Sequence, residues 1–195
     1  MNRPDDWIQR VDGLGRLSLV DDDAVRAVAA SPLGRRTTRN LLAFVLLDEP
    51  VSVETDQITA LDDRLLAAAG GLIPDPQPPS TDGPIQPRSR DDVIELWTER
   101  ELTIVHAGWL LPRWCAAAVS SARWLIEEIQ PDNATNLPWA VHVFASLFID
   151  EGMEEARMYA ETLMHNCVVT TGRPDDLSAL ILLDAARQLR VRYTV

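Results

Sequence analysis

The chain has no lysine: all 18 of its basic residues are arginine. This pattern reads first as a coding bias of the bacterial high-GC kind. It excludes a lysine Schiff base and a phosphate-loop lysine, because either needs a side-chain amine. Cysteine is scarce. Cys115 and Cys167 stand far apart with no paired CxxC spacing, which points to packed thiols in a reducing, cytoplasmic setting and to no metal ribbon or disulfide framework. No run of eighteen apolar residues occurs, and the start, Met1 to Asp6, has no apolar core of a leader. The expectation is a chain that is neither secreted nor membrane-spanning, so the sequon at Asn133-Ala134-Thr135 reads as a polar loop.

Also absent is any segment that alternates convincingly as a strand, and any Glu-x-x-His of the kind that four-helix di-iron proteins pair. Glu161 and His165, with Glu151, Glu154 and Glu155 nearby, therefore read as a solvated acidic helix face, and neither a metal nor a cofactor is called for. Positive charge is in deficit. With a formal charge of -12, the surface repels phosphate backbones and anionic bilayers, so a nucleic-acid or membrane partner is disfavoured and another protein, a basic one most readily, is the expected partner. Homo-oligomers remain compatible with the composition.

What is present is helical periodicity. At 195 residues, with 46% hydrophobic and 25% charged residues, the chain can bury a core without staples. Asp21-Asp22-Asp23 opens a helix over Ala24 to Ala30. Ser31-Pro32 opens another, carrying Leu33, Thr37, Leu41 and Val45 on one stripe. Further helices are predicted from about Thr55 to Ala69, from Ser89 or Asp91 to Leu111, from Arg113 to Ile129, from Trp139 to Ile149, from Met153 to Val169, and from Asp175 to Val191. Glycine or proline sits at most of their ends. The fold class is all-α: an irregular bundle of about eight or nine helices with stacked antiparallel hairpins. Pro74, Pro76, Pro78, Pro79, Pro84 and Pro87 crowd one stretch, which divides the expected organisation into an N-terminal helical lobe (1–70), a proline-rich linker or loop (71–90), irregular and exposed, and a C-terminal bundle (91–195).

The segment from Trp139 to Leu163, with Gly152-Met153-Glu154-Glu155-Ala156 at its turn, resembles one helical hairpin of the tetratricopeptide type. Its tryptophan-to-glycine spacing departs from that repeat and no second copy follows at a 34-residue period. The resemblance implies antiparallel stacking of two helices and nothing about activity.

Among polar residues, His142, Ser146 and Asp150 form one line, each a turn apart, on an otherwise apolar helix. Such a line reads either as a histidine-assisted site in a crevice or as a core histidine bonded to a backbone carbonyl or a carboxylate. No glycine-framed elbow presents Ser146 as a nucleophile. Asp184 interrupts the apolar run from Leu177 to Ala186 and needs a partner if buried, either Arg187 one turn on or a histidine from another helix. Trp97, Trp109, Trp114, Trp124 and Trp139 concentrate in the second half. Trp124 lies off the stripe of its helix and is a candidate for a groove or subunit contact. Arg35, Arg36 and Arg39, after the helix ending near Ala30, superficially resemble a helix-turn-helix recognition element, an alternative that the acidic surroundings disfavour. No catalytic signature emerges. The leading expectation is a noncatalytic helical adaptor or scaffold that binds another protein through a groove of the C-terminal part; the alternative is an enzyme or small-ligand sensor built on His142 and Asp184.

Overall fold

The computed structural model describes residues 3–31, 36–49, 58–80, 82–129 and 135–194. Within them the chain forms nine α-helices and no strand, as the helical periodicity predicts. In order they are α1 (Pro4–Arg16), α2 (Asp22–Ala30), α3 (Arg36–Leu47), α4 (Leu61–Ala69), α5 (Ile94–Trp109), α6 (Cys115–Glu128), α7 (Val141–Glu151), α8 (Glu154–Asn166) and α9 (Asp176–Tyr193). Local chemistry sets several starts. Asp21 accepts from the Ala24 N–H at 2.9 Å and Asp175 from the Ser178 N–H at 2.7 Å, each satisfying one orphan donor of a first turn.

α1 is absent from the expected set of helices, although its signals are ordinary. Pro4 occupies the first helical position, Asp5 and Asp6 fill the first turn, and Trp7, Ile8, Val11 and Gly15 are buried on one face. Two glycines, Gly13 and Gly15, disguise it. Gly15 is there for a packing reason: a Cβ at that position would lie 3.0 Å from the Leu183 side chain and 3.2 Å from the Ala179 carbonyl oxygen. The missing side chain lets α1 lie directly on α9.

That contact shapes the architecture. α9 packs against α1, α3 and α7; α3 also meets α2 and α4; α5 joins α4, α6 and α7; and α7 folds back on α8 through Gly152, whose φ of 72° turns the chain. The expected hairpin of α7 and α8 is thus present. Residues from both sides of the proline-rich stretch, from Trp7 to Leu189, enter one contiguous buried cluster, so the packing of the core runs across residues 71–90.

The proline-rich stretch is irregular, as its missing N–H donors require. It is also less exposed than expected, because polar anchors hold it, Arg113 donating to Gln77 at 2.8 Å among them. The Trp114 indole donates to the Pro76 carbonyl at 2.7 Å. The buried carboxylate of Glu101 accepts from the Ile85 N–H at 2.5 Å, the Gln86 N–H at 2.9 Å and the Ser121 hydroxyl at 2.6 Å. Pro76 and Ile85 are buried in consequence. Burial pushes the Glu101 carboxyl above its usual range, and its three donors offset part of that rise.

As far as Asp150, α7 is apolar except for one polar line, and it is buried along most of its length. Every residue from Trp139 to Phe148 is buried, and Phe144 stacks on Tyr159 of α8 at 4.3 Å with planes 19° apart. Phe144→Ala is expected to cost about 3 to 5 kcal/mol of unfolding free energy. Glu154→Ala removes only an exposed ion pair to Arg157 and is expected to cost well under about 1 kcal/mol. Urea denaturation of the two variants checks this, and equal losses contradict the central position of α7.

Candidate functional site

The sequence candidates converge on the junction of α5, α7 and α9, around a histidine that sequence reasoning passed over. His106 of α5 and Asp184 of α9 are fully buried, with Nε2 of the ring 3.0 Å from Oδ2 of the carboxylate. The other ring nitrogen, Nδ1, accepts the backbone N–H of Ala140 at 3.1 Å. An amide N–H can only donate, so Nδ1 presents its lone pair and Nε2 carries the proton directed at Asp184. The second oxygen of Asp184 takes a long bond of 3.4 Å from Gln188. Asp184 thus finds the inter-helix histidine, and not Arg187, as its partner.

Ala140 explains why a donor waits there. It precedes α7 with φ of 60° and ψ of 13°, a left-handed conformation that costs an L-residue on the order of 1 kcal/mol. Its N–H is buried, and the His106 ring satisfies it from a neighbouring helix. A chain of two hydrogen bonds therefore runs from α9 through α5 to the start of α7.

His142 behaves differently from both expectations held for it. Its ring is wholly buried, yet neither nitrogen has a hydrogen-bond partner among the described residues. It packs edge to face against His106, with centroids 4.5 Å apart and planes at 89°, and against Trp109 at 6.1 Å. Trp139 stands edge to face on the opposite partner, His106, at 5.1 Å. Edges of these rings meet faces, which places polarised C–H and N–H bonds over π clouds. Burial, and then the nearby His106, hold the His142 pKa well below the usual 6.5.

Further along the same face, the Ser146 hydroxyl is buried without a well-formed hydrogen bond. It lies near enough to the Tyr193 phenol to oppose the rise that burial gives that group, but is not aligned to it; Tyr193 instead donates to Asp150 at 2.8 Å. Asp150 also receives Arg192 at 2.7 Å, and Arg192 lies over the Trp109 ring at 5.0 Å. The line His142, Ser146, Asp150 thus runs from the core to the surface, where the end of α9 covers it.

Chemically the arrangement holds helices and offers little to a substrate. In an acid–base pair the histidine nitrogen remote from the carboxylate must face the reacting group, whereas in His106 that nitrogen is occupied by Ala140. Four concavities, beside Val25, Trp97, Pro174 and Leu14, include none of His106, His142 or Asp184 in their lining. The two cysteines are unpaired. Burial pushes the Cys167 thiol up to about 12 and raises Cys115 as well, so neither is an activated nucleophile. Among the described residues no three His, Cys, Asp or Glu side chains gather as metal ligands, and Glu161 is engaged by Arg10 and Arg157.

The remaining candidates separate. Trp124 is half-buried, edge to face on Trp97 at 5.7 Å and 3.7 Å from where a Gly83 Cβ would stand, so it backs Trp97. Arg36 is exposed and Arg39 is buried in α3, so the two do not project together into solvent, while Arg35 lies outside the described residues. No protein-family model, curated protein or solved structure matches the chain.

The titration of His142 has a definite sign. A base whose folded-state pKa lies below its unfolded value takes up protons preferentially when unfolded, so stability is full above about pH 6.5 and falls as pH drops toward the folded value. Stability is therefore expected to fall from about pH 7.5 to about pH 5.5. His142→Leu is expected to remove that part of the loss, read from urea unfolding at the two pH values. An unchanged loss in the variant contradicts the burial of a neutral ring.

Proposed function

We propose that the protein is a noncatalytic helical adaptor that docks another protein through a groove at the start of α5. The observation that carries this reading is an exposed apolar edge beside a tryptophan. Val93 and Leu96 are 57% and 61% exposed, and with Trp97 they line a cavity of about 240 Å³ whose far wall is Gln86 and Pro87. Isolated exposed aliphatics are normal on a surface, but two flanking a concave, aromatic-floored cavity form an anchor site.

The neighbouring structure supports a preorganised groove. Glu101 fixes Ile85 and Gln86, Trp124 backs Trp97, and Arg88 lies over the Trp97 ring at 5.9 Å. Asp91 and Asp92 line the same cavity with Arg100, leaving one net negative charge, and the whole chain is strongly acidic. The fitting occupant is a short segment with one bulky apolar side chain flanked by basic residues. The competing reading, an enzyme or ligand sensor using His142 and Asp184, gains no support from side chains sealed in the core and, in His106, saturated. The unpaired cysteines fit a cytoplasmic adaptor, and among the described residues no helix is long and apolar enough to cross a membrane.

The test is retention of partners from host extract on immobilised protein. Leu96→Glu is expected to abolish capture of a partner that the wild type retains, at unchanged melting temperature. Met158→Glu, at an exposed apolar residue on α8, is expected to leave capture intact. Equal capture by wild type and Leu96→Glu contradicts the groove.

A further inference from the structure

A second concavity lies on another face, where α1, α2, α3 and α9 meet, and its chemistry is unlike that of the groove. Its volume is about 130 Å³. The floor is aliphatic, made by Val25, Leu46, Leu47 and Leu183, and the walls carry Arg16, Arg187 and Arg190 together with Asp12 and Asp22. Three arginines and two aspartates leave one positive charge over an apolar floor.

The arginines are not equivalent. Arg190 is committed to Asp12 at 2.7 Å. Arg16 spends one nitrogen on a long bond of 3.4 Å to the Leu19 carbonyl. Arg187 is half-buried and makes no hydrogen bond or ion pair with the described residues. None of its nitrogens is shut off from solvent, so its fork stays open to the cleft and can donate a charge-assisted bond to a ligand acceptor. A planar guanidinium fork matches a carboxylate bidentately. The volume is below the range of drug-sized pockets, which excludes a nucleotide.

We propose that this cleft binds a small carboxylate with an aliphatic tail. Its carboxylate pairs with Arg187, assisted by Arg16, and its tail lies on Leu46, Leu47 and Leu183. Two sources share this chemistry, a short branched fatty acid and an aliphatic amino acid. Asp22 distinguishes them: exposed at the first position of α2 and facing the same cleft, it can accept an ammonium group.

Calorimetric titration of the full chain tests the site, with 4-methylpentanoate, 4-methylpentanamide and leucine as probes. Saturable binding of 4-methylpentanoate is expected, weakened at least about tenfold in the amide and in Arg187→Gln, the loss of a charge-assisted pair. The amide comparison uses the wild type, so it stands even if the variant does not fold. Leucine binding more tightly than 4-methylpentanoate, with the advantage lost in Asp22→Asn, assigns the amino acid; weaker leucine binding assigns the plain acid. Absence of binding to both acids up to about 10 mM, or equal affinity for acid and amide, overturns the proposal.

Discussion

The structure depends on the pair formed by Asp184 and His106, a fully buried carboxylate bonded to a fully buried imidazole. An isolated buried carboxylate is too costly to keep. Asp184 can occupy the most buried face of α9 only because α5 brings a proton donor to it, and that bond links α5 to α9. The second nitrogen of the same ring then satisfies Ala140 at the start of α7. Three helices remote in sequence are thereby held in one register by two hydrogen bonds, around which the aliphatic and aromatic packing closes.

The same pair decides between structural and catalytic readings. A carboxylate bonded to a histidine is a common acid–base arrangement, and in sequence His142 and Asp184 invite that comparison. Geometry rules it out for His106, whose remote nitrogen faces a backbone amide. His142 is left as a buried ring without a hydrogen-bond partner among the described residues, edge to face with His106 and Trp109. Its cost is bounded by edge-to-face contacts, and nothing opens it to solvent. Both proposed binding sites accordingly lie at the surface: the Trp97 groove, with its two exposed aliphatics, and the arginine-lined cleft.

Periodicity carried the fold class. Helices α2 to α9 were legible from apolar spacing and from caps such as Asp21 and Asp175, though starts slipped by a few residues where a preceding loop also had polar helix formers, as before α5. α1 was missed because Gly13 and Gly15 look like breakers; only the close approach to Leu183 and Ala179 explains Gly15, and that contact spans most of the chain. Asp184 was legible as a partly buried acid needing a partner, with Arg187 and an inter-helix histidine as the two choices. His106 itself was not singled out, although it interrupts the apolar run from Leu102 to Trp109 just as His142 interrupts its own. Glu101 gave no signal, because its role is to bind backbone N–H groups of a proline-rich segment, and backbone donors leave no trace in side-chain patterns.

The most direct test of the central interaction is a double-mutant cycle on Asp184 and His106, read as unfolding free energies by urea denaturation. Asp184→Leu and His106→Leu are each expected to cost about 3 to 5 kcal/mol, because each leaves a buried polar partner uncompensated. The double variant is expected to lose less than the sum, by about 1 to 3 kcal/mol, since neither orphan then remains apart from the Ala140 N–H. Additive losses, or single variants as stable as the wild type, would contradict the account.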